Sequence, residues 1–266
     1  MVQFNLTYDQ NISLEQRVAY QVAANTLKRF LTDDTVVDIH FVGTSGLNGG
    51  NAVGGAIPIF HTVNYGILSE YLAQDASSYI DDQSVMHLQD GNTIDLSAYG
   101  EIIDGNTEIN LTTAQAEALG MDKALFLSNG AVWDRDVLDT TGLDGYILVN
   151  QDFEWNNDVL RTEPAAEGTL DSLSMALHEM LHIMGFGSGI DGTIEYNQLF
   201  SGDTQVEGAT LLDLFRHSAE STTIENPDGS VSTITEGEAA YLSAGGGVTN
   251  LGDFATGQNT GVGGDG

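Results

Sequence analysis

The chain has 266 residues, 41% of them hydrophobic, and its 39 acidic against 7 basic residues give a formal net charge of −32. This length and apolar content suffice for one substantial core or for two lobes around a cleft, and they exclude a disordered chain. The negative charge excludes nucleic acid and anionic lipid as partners, and no apolar run reaches the roughly 20 residues of a membrane span. The absence of cysteine excludes disulfides and thiolate metal sites.

The N-terminal segment predicts a strand, a long helix and a second strand. Residues 2–8 alternate as a strand does and lack the basic and apolar regions of a signal peptide. Residues 13–31 follow with a helical pattern that opens on a capping box of Ser13 and Gln16, and residues 35–42 form the next strand. The apolar positions of this helix predict its buried face as Leu14, Val18, Val22, Leu27 and Leu31.

The middle of the chain alternates between glycine-rich and periodic segments. A loop is predicted at 43–50, a strand at 52–60 and a helix at 65–76. A short helical piece follows at 112–119, and a strand at 145–153 precedes the most regular helix of the chain.

That helix is predicted over residues 169–184. Asp171 is typical of a helix N-terminus, and Gly185 comes directly after the periodic stretch, where a left-handed residue commonly ends a helix. Its apolar stripe consists of Leu170, Leu173, Leu177, Met180, Leu181 and Met184.

Two histidines four positions apart on this helix predict a metal site. His178 and His182 lie on one helical face, so that both imidazoles can reach the same ion. Glu179 follows the first ligand directly, in the position from which a carboxylate can act as general base on an activated water. Zinc-assisted hydrolysis of a peptide bond is the chemistry that these three residues indicate.

The run from His178 to Phe186, HExxHxxGF, resembles the zincin metalloproteases and most of all their metzincin branch. The resemblance implies an α+β, zincin-like fold, in which a twisted mixed sheet packs on the N-terminal helix and the active-site helix, with a smaller C-terminal subdomain. It also implies Zn²⁺ bound by His178 and His182, with Glu179 as the catalytic base. In zincins the last strand before the helix lines the cleft, so the resemblance assigns the pairing with extended substrate to residues 145–153.

The third zinc ligand stays open. Metzincins carry it six residues after the second histidine, where this chain has Ser188, and no methionine follows Met184 to form a Met-turn. The candidates within the chain are His217, in an amphipathic stretch at 209–218, and the oxygen donors Asp191 and Glu195. A residue beyond Gly266 is the remaining alternative. The segments 185–189 and 212–216 together also resemble a group of secreted bacterial metalloproteases.

Three segments are expected: a zincin-like subdomain at 1–186, a C-terminal subdomain at 187–243 and a glycine-rich tail at 244–266. The predicted function is that of a secreted, monomeric zinc endopeptidase acting on protein or peptide substrates, with Ca²⁺ as an additional ion. Acidic groups such as Asp81 and Asp82 favour a solvated face over a calcium loop, since they lack the spacing of an EF-hand. The alternative function is an inactive zincin-like acidic surface module that binds calcium or a protein partner.

Overall fold

The computed structural model describes residues 1–50, 52–98, 101–121, 128–131, 142–162, 164–189, 209–218, 222–225, 231–234, 240–246 and 250–253. Over these residues the protein has a mixed α+β fold with small sheets and five α-helices. The helices are α1 (Leu14–Leu27), α2 (Tyr65–Asp75), α3 (Tyr79–Met86), α4 (Thr113–Ala118) and α5 (Ser172–Ile183).

The described strands are short and are distributed along both halves of the chain. They are β1 (Gln3–Tyr8), β2 (Val36–Thr44), β3 (Gly54–Pro58), β4 (Phe60–Asn64), β5 (Ile94–Ala98), β6 (Glu101–Asn106), β7 (Glu108–Thr112), β8 (Ser128–Ala131), β9 (Gly145–Asn150), β10 (Trp155–Asn156), β11 (Leu170–Asp171), β12 (Arg216–Ser218), β13 (Thr222–Glu225), β14 (Val231–Ile234), β15 (Ala240–Leu242) and β16 (Gly252–Asp253).

The chain divides into two compact units. The first unit comprises Met1–Phe60, Thr112–Gly120 and Gly130–Gly185. The second unit comprises His61–Leu111, Met121–Asn129 and Phe186–Gly266. Helix α5 thus belongs to the first unit, and the chain passes into the second unit directly after Gly185.

The first unit contains a four-stranded mixed sheet in the order β1-β2-β9-β3. Strands β1, β2 and β9 run parallel, and β3 pairs antiparallel with β9 at the edge of the sheet. The predicted strand at 52–60 is therefore two strands, because the chain leaves the sheet after Pro58 and begins β4 at Phe60. The other predicted strands of this sheet are confirmed with small shifts of their ends.

Helices α1 and α5 pack on this sheet in one core. Tyr20 of α1 stacks on Phe41 of β2 with ring centroids 4.4 Å apart, and both rings are buried. Met180 and Ile183 of α5 join the same cluster. The predicted packing of a sheet on an N-terminal helix and on the helix that carries the two histidines is present in this unit.

The predicted inner face of α1 was wrong in part. Leu14 is 72% exposed and Val18 is 50% exposed, whereas Leu27 is buried as predicted. The face that enters the core consists instead of Gln16, Ala19, Tyr20, Ala23, Ala24 and Leu27. Small residues allow the helix to approach the sheet closely, so the alanines lie on the buried side. Alanine is only weakly hydrophobic, and the periodic pattern of larger apolar residues therefore did not reveal this face. The capping box of Ser13 and Gln16 is confirmed.

The second unit contains helices α2 and α3 and several two- and three-stranded sheets. Its last described sheet has the order β12-β15-β16, with antiparallel pairing throughout. Across the described parts of both units, no helix has the length and apolar content to cross a membrane.

Candidate metal centre

Helix α5 begins at Ser172, three residues later than predicted, because Leu170 and Asp171 form strand β11. Asp171 caps its first turn, as predicted. The Asp171 carboxylate accepts hydrogen bonds from the backbone N–H of Ser174, at 2.9 Å, and from the Ser174 hydroxyl, at 2.5 Å. Arg161 donates to the same carboxylate at 3.0 Å. The hydroxyl of Ser172, which is buried, donates to Asn157 at 2.6 Å. These contacts fix the start of the helix, and with it the rotation of every side chain that follows.

The helix ends at Gly185, which confirms the predicted stop. Its φ of 87° lies in the left-handed region, where only glycine is free of strain, and its N–H bonds to the carbonyl of His182 at 3.0 Å. A β-carbon at this position would also collide with the side chain of Gln115. The left-handed conformation therefore requires glycine two residues after Ile183, whereas the end of the flexible Gln115 side chain could shift to make room.

The two imidazoles of α5 face each other across one turn of the helix. The Nε2 atoms of His178 and His182 are 3.1 Å apart, and the ring centroids are 4.6 Å apart with the rings nearly perpendicular. Two nitrogens bound about 2.0–2.1 Å from one tetrahedral zinc ion lie roughly 3.3 Å apart. The pair has the separation that two ligands of one zinc ion require, and it lies at the exposed side of the helix.

Glu179 differs from the two histidines in its surroundings. Its side chain is only 7% exposed, whereas His178 is exposed and His182 is half-buried. Neighbouring Ala176, Met180 and Ile183 are buried in the core of the first unit. Glu179 thus lies where the apolar face of α5 meets the histidine face, and a carboxylate there is sheltered from bulk water.

A complete ligand set is not assembled among the described residues. No group of three histidine, cysteine, aspartate or glutamate side chains placed to hold a metal occurs in that part of the chain. Two of the predicted third ligands, Asp191 and Glu195, lie outside the described residues. The same holds for Asp134, Asp136 and Asp139, whose spacing, like that of Asp81 and Asp82, does not match an EF-hand loop. The pair on α5 fits zinc as two of its ligands.

Ser188 holds the position of the metzincin third ligand and is engaged in another way. Within the second unit its hydroxyl donates to the Asp213 carboxylate at 2.5 Å. The same carboxylate accepts the backbone N–H groups of Gly189, at 2.9 Å, and of Thr210, at 2.8 Å, together with the Thr210 hydroxyl at 3.0 Å. Asp213 thereby ties residues 187–189 to the 3₁₀ helix Leu211–Phe215.

Asp213 lies in a buried polar cluster that sequence reasoning missed. It is 4% exposed, and Arg216, also buried, donates to the Ser188 hydroxyl at 3.3 Å. Burial raises the pKa of Asp213, although the hydrogen bonds and the charge of Arg216 each act to lower it. The signal in the sequence was the spacing Thr210-x-x-Asp213, a variant of the capping box, which the periodicity of the surrounding leucines concealed.

The amphipathic pattern of 209–218 predicts a short helix with a partly exposed His217 at its end, and this prediction is wrong on both points. That stretch is the short 3₁₀ helix followed by strand β12, on which His217 pairs with Tyr241 of β15. The His217 side chain is 3% exposed. The pattern of apolar residues was read with the wrong period, because the segment changes from helix to strand at Arg216.

Strand β9 cannot take the role that the resemblance gave to residues 145–153. It pairs with β2 on one side and with β3 on the other, so neither of its edges is open. The edge strand is β3, whose Gly54 approaches Met175 of α5: a β-carbon on Gly54 would lie 3.2 Å from the Met175 sulfur. In the described part of the chain no strand pairs with the outer edge of β3.

Two other side chains of a type that can bind metal ions, His40 and Asp81, have structural roles. His40 on β2 shares a hydrogen bond with the Thr7 hydroxyl at 2.8 Å. The Asp81 carboxylate accepts from the backbone N–H groups of Ser77 and Ser78 in the capping box of α3. Hydrogen bonding with the Ser78 side chain and with these N–H groups lowers its pKa. Helix capping alone accounts for an acidic residue at this position, without a calcium ion.

Comparison of the chain with protein-family models, curated proteins and solved structures found no match. The likeness to zincins therefore depends on the motif of α5 alone.

Proposed function

We propose that the chain is a zinc-dependent endopeptidase in which His178 and His182 bind the metal and Glu179 is the general base. The observation that supports this most directly is the 3.1 Å between the two Nε2 atoms on adjacent turns of α5, which agrees with the spacing of two zinc ligands. The order of residues is also that of the motif, with a carboxylate directly after the first histidine.

The chemistry follows from the side chains present. When bound, zinc would act as a Lewis acid that polarises the scissile carbonyl and lowers the pKa of water toward 7. The Glu179 carboxylate takes the proton of the attacking water and then delivers it to the leaving amine nitrogen. Its low exposure favours this role, because a base sheltered from bulk water exchanges its proton with the substrate more often than with solvent.

The edge of the sheet offers a place for the substrate backbone. Strand β3 is the antiparallel edge strand of the first unit, and it packs against α5 near Met175. An extended peptide that paired with β3 would add a strand to this sheet and lie beside the helix that carries the histidines. This revises the prediction that residues 145–153 bind the substrate.

The test is cleavage of an unstructured protein such as casein by the zinc-loaded full chain, with zinc content measured in parallel. We expect Glu179→Gln to retain zinc and to lose about 10²- to 10⁴-fold in kcat/KM, the typical contribution of a general base. His178→Ala and His182→Ala should lose both zinc and activity. Glu167→Gln is the matched control, because Glu167 is an exposed carboxylate upstream of the same helix.

Two results would overturn the proposal. One is cleavage by Glu179→Gln at the wild-type rate. The other is zinc binding without cleavage by the wild-type chain, which would favour the inactive acidic module that binds calcium or a partner.

Asp191→Ala tests the third ligand in the same assays, since loss of a ligand lowers zinc content while loss of a surface charge does not. Calcium binding, secretion and the monomeric state stay predictions.

A further inference from the structure

Helix α4 contacts the turn at which α5 ends. Within the first unit, Ala114 of α4 lies in the same buried cluster as Met180 and Ile183 of α5. The side-chain amide of Gln115 lies directly against Gly185, so that a β-carbon on this glycine would collide with it. Gln115 and Gly185 are 70 positions apart in the sequence, and no local pattern associates them.

The Gln115 amide is oriented by the capping box of α4. Its Oε1 accepts from the backbone N–H of Thr112 at 3.0 Å, and the Thr112 hydroxyl accepts from the backbone N–H of Gln115 at 3.2 Å. Because Oε1 is engaged in this way, Nε2 is the atom that can donate away from α4. It donates to the carbonyl of Gly185 at 3.5 Å, which is a long hydrogen bond.

The start of α4 is itself attached to the sheet. The backbone N–H and the hydroxyl of Thr113 donate to the carbonyl of Ile59 at 2.9 Å and 3.3 Å. The N–H of Ile59 in turn donates to the carbonyl of Asp144, the residue before β9, at 3.0 Å. Gln115 therefore extends toward α5 from a helix start that is bonded to the frame of the first unit.

One further hydrogen bond connects this contact to a predicted zinc ligand. The N–H of Gly185 donates to the carbonyl of His182 at 3.0 Å, so Gly185 bonds to His182 through its N–H and to Gln115 through its carbonyl. The last turn of a helix frays easily, because its carbonyls lack partners within the helix. Fraying there would move the imidazole of His182 relative to that of His178.

We propose that Gln115 is a positioning residue of the metal centre. Its amide holds the turn at Gly185 and thereby keeps His182 at the distance from His178 that a shared zinc ion requires. The inference rests on the proposed function, because it needs zinc at these two histidines. Groups that orient metal ligands typically change metal affinity by about 10- to 100-fold when they are removed. Gln115 acts through the backbone and not on the imidazole itself, so the lower end of this range applies.

Gln115→Glu removes one donor and leaves the capping box in place. Glutamate is a regular acceptor at this position of a capping box, so its carboxylate still accepts from the N–H of Thr112. The second carboxylate oxygen cannot donate to the carbonyl of Gly185 and is repelled by it.

Gln16→Glu is the matched control, because Gln16 has the same position in the capping box of α1. Its Nε2 also donates one hydrogen bond, but the acceptor is Oε1 of Gln151, at 3.3 Å, and not the end of α5. The control therefore loses the same kind of donor in the same unit without changing the contact at Gly185.

Two kinds of measurement are made on the full chain of each variant. Hydrogen exchange of the Gly185 amide is followed by NMR in EDTA. Zinc affinity is then measured by competition with a chromophoric chelator, and the visible absorption spectrum of the Co²⁺-substituted chain reports the geometry of the ligands. We expect Gln115→Glu to exchange the Gly185 amide about 5-fold faster, as the loss of one hydrogen bond implies. It should also bind zinc about 10-fold more weakly and show a changed Co²⁺ spectrum. Gln16→Glu should keep the wild-type values.

Exchange of the Gly185 amide at the wild-type rate in Gln115→Glu would overturn the inference whether or not the chain binds zinc. Faster exchange with unchanged zinc affinity and an unchanged Co²⁺ spectrum would overturn it too, since Gln115 would then hold the turn without positioning His182. A wild-type chain that binds no zinc would overturn the proposed function and, with it, this role of Gln115. The two failures are distinguishable because the exchange rates are obtained without metal.

Discussion

The two units of this protein are stabilised by different means. In the first unit a mixed sheet packs on helices α1 and α5 through buried apolar residues, among them Phe41, Ile147 and Met180. In the second unit the segment after α5 is held by a buried carboxylate, Asp213, that accepts four hydrogen bonds. Apolar packing depends on the total side-chain volume and tolerates exchange between residues of similar size. A buried polar cluster, in contrast, is destabilised by the loss of any one of its hydrogen-bonding groups.

The largest effect is expected in the polar cluster. In Asp213→Asn the negative charge near the Arg216 guanidinium is lost, and an NH₂ group takes the place of Oδ1, which accepts the hydrogen bond of the Ser188 hydroxyl in the wild type. We expect a loss of about 3 kcal/mol in the free energy of unfolding, measured by urea denaturation. Asp38→Asn, at a partly exposed carboxylate that accepts from Asn5, should cost less than about 0.5 kcal/mol.

The same variant tests the pKa of Asp213. Because burial raises this pKa above 3.8, the folded protein binds the proton more tightly than the unfolded chain does. The stability contributed by protonation is complete below about pH 3.8 and is lost as the pH rises through the folded value. The advantage of the wild type over Asp213→Asn should therefore shrink as the pH rises toward neutrality; an advantage that grows would contradict the raised pKa.

An intermediate effect is expected from overpacking the first unit. A β-carbon on Gly145 of β9 would lie 2.8 Å from the carbonyl oxygen of Ile57 and would collide with Ile183 of α5. Gly145→Ala should destabilise by about 2 kcal/mol in thermal or urea denaturation, since the backbone of β3 cannot move aside. In Gly55→Ala the new methyl group meets nothing within 4 Å, and this strand glycine serves as the control. Equal stability of the two variants would contradict the close approach.

The smallest effects compare one buried tyrosine from each unit. The Tyr65 hydroxyl, in the second unit, donates to the carbonyl of Gln89 at 2.6 Å, so Tyr65→Phe should cost about 1 kcal/mol. The Tyr20 hydroxyl, in the first unit, is buried with no partner among the described residues. Tyr20→Phe removes an unsatisfied group and should leave the urea midpoint unchanged or raise it. A loss at Tyr20 as large as that at Tyr65 would reveal a partner for its hydroxyl.

The sequence predicts individual helices and strands better than it predicts the contacts between them. Strands β1, β2 and β9 and helix α5 follow from alternation, capping and the terminal Gly185, all of which are local signals. The buried face of α1 did not follow, because its alanines fit against the sheet by size and not by hydrophobicity. The order β1-β2-β9-β3 is a property of pairing between distant segments, which no local pattern contains.

The candidate site shows the same division. His178, Glu179 and His182 were found because their chemistry depends on spacing along one helix. The hydrogen bond between Ser188 and Asp213 connects residues that are 25 positions apart in the sequence. Such contacts produce no periodic pattern in the sequence, and the composition does not show which residues meet in the fold.

The position of β9 in the sheet has a consequence for synthesis. β9 lies between β2 and β3 although it comes last of the four strands along the chain, and the hydrogen bond from Asp38 to Asp144 joins residues 106 positions apart. Until this strand leaves the ribosome, β2 and β3 have no common partner and expose their edges. Pairing at such long range is slow and leaves the nascent chain open to aggregation and proteolysis. We therefore expect ribosome-bound chains that end before Gly145 to be degraded readily, and chains that extend beyond Ile183, where α5 can cover the sheet, to resist.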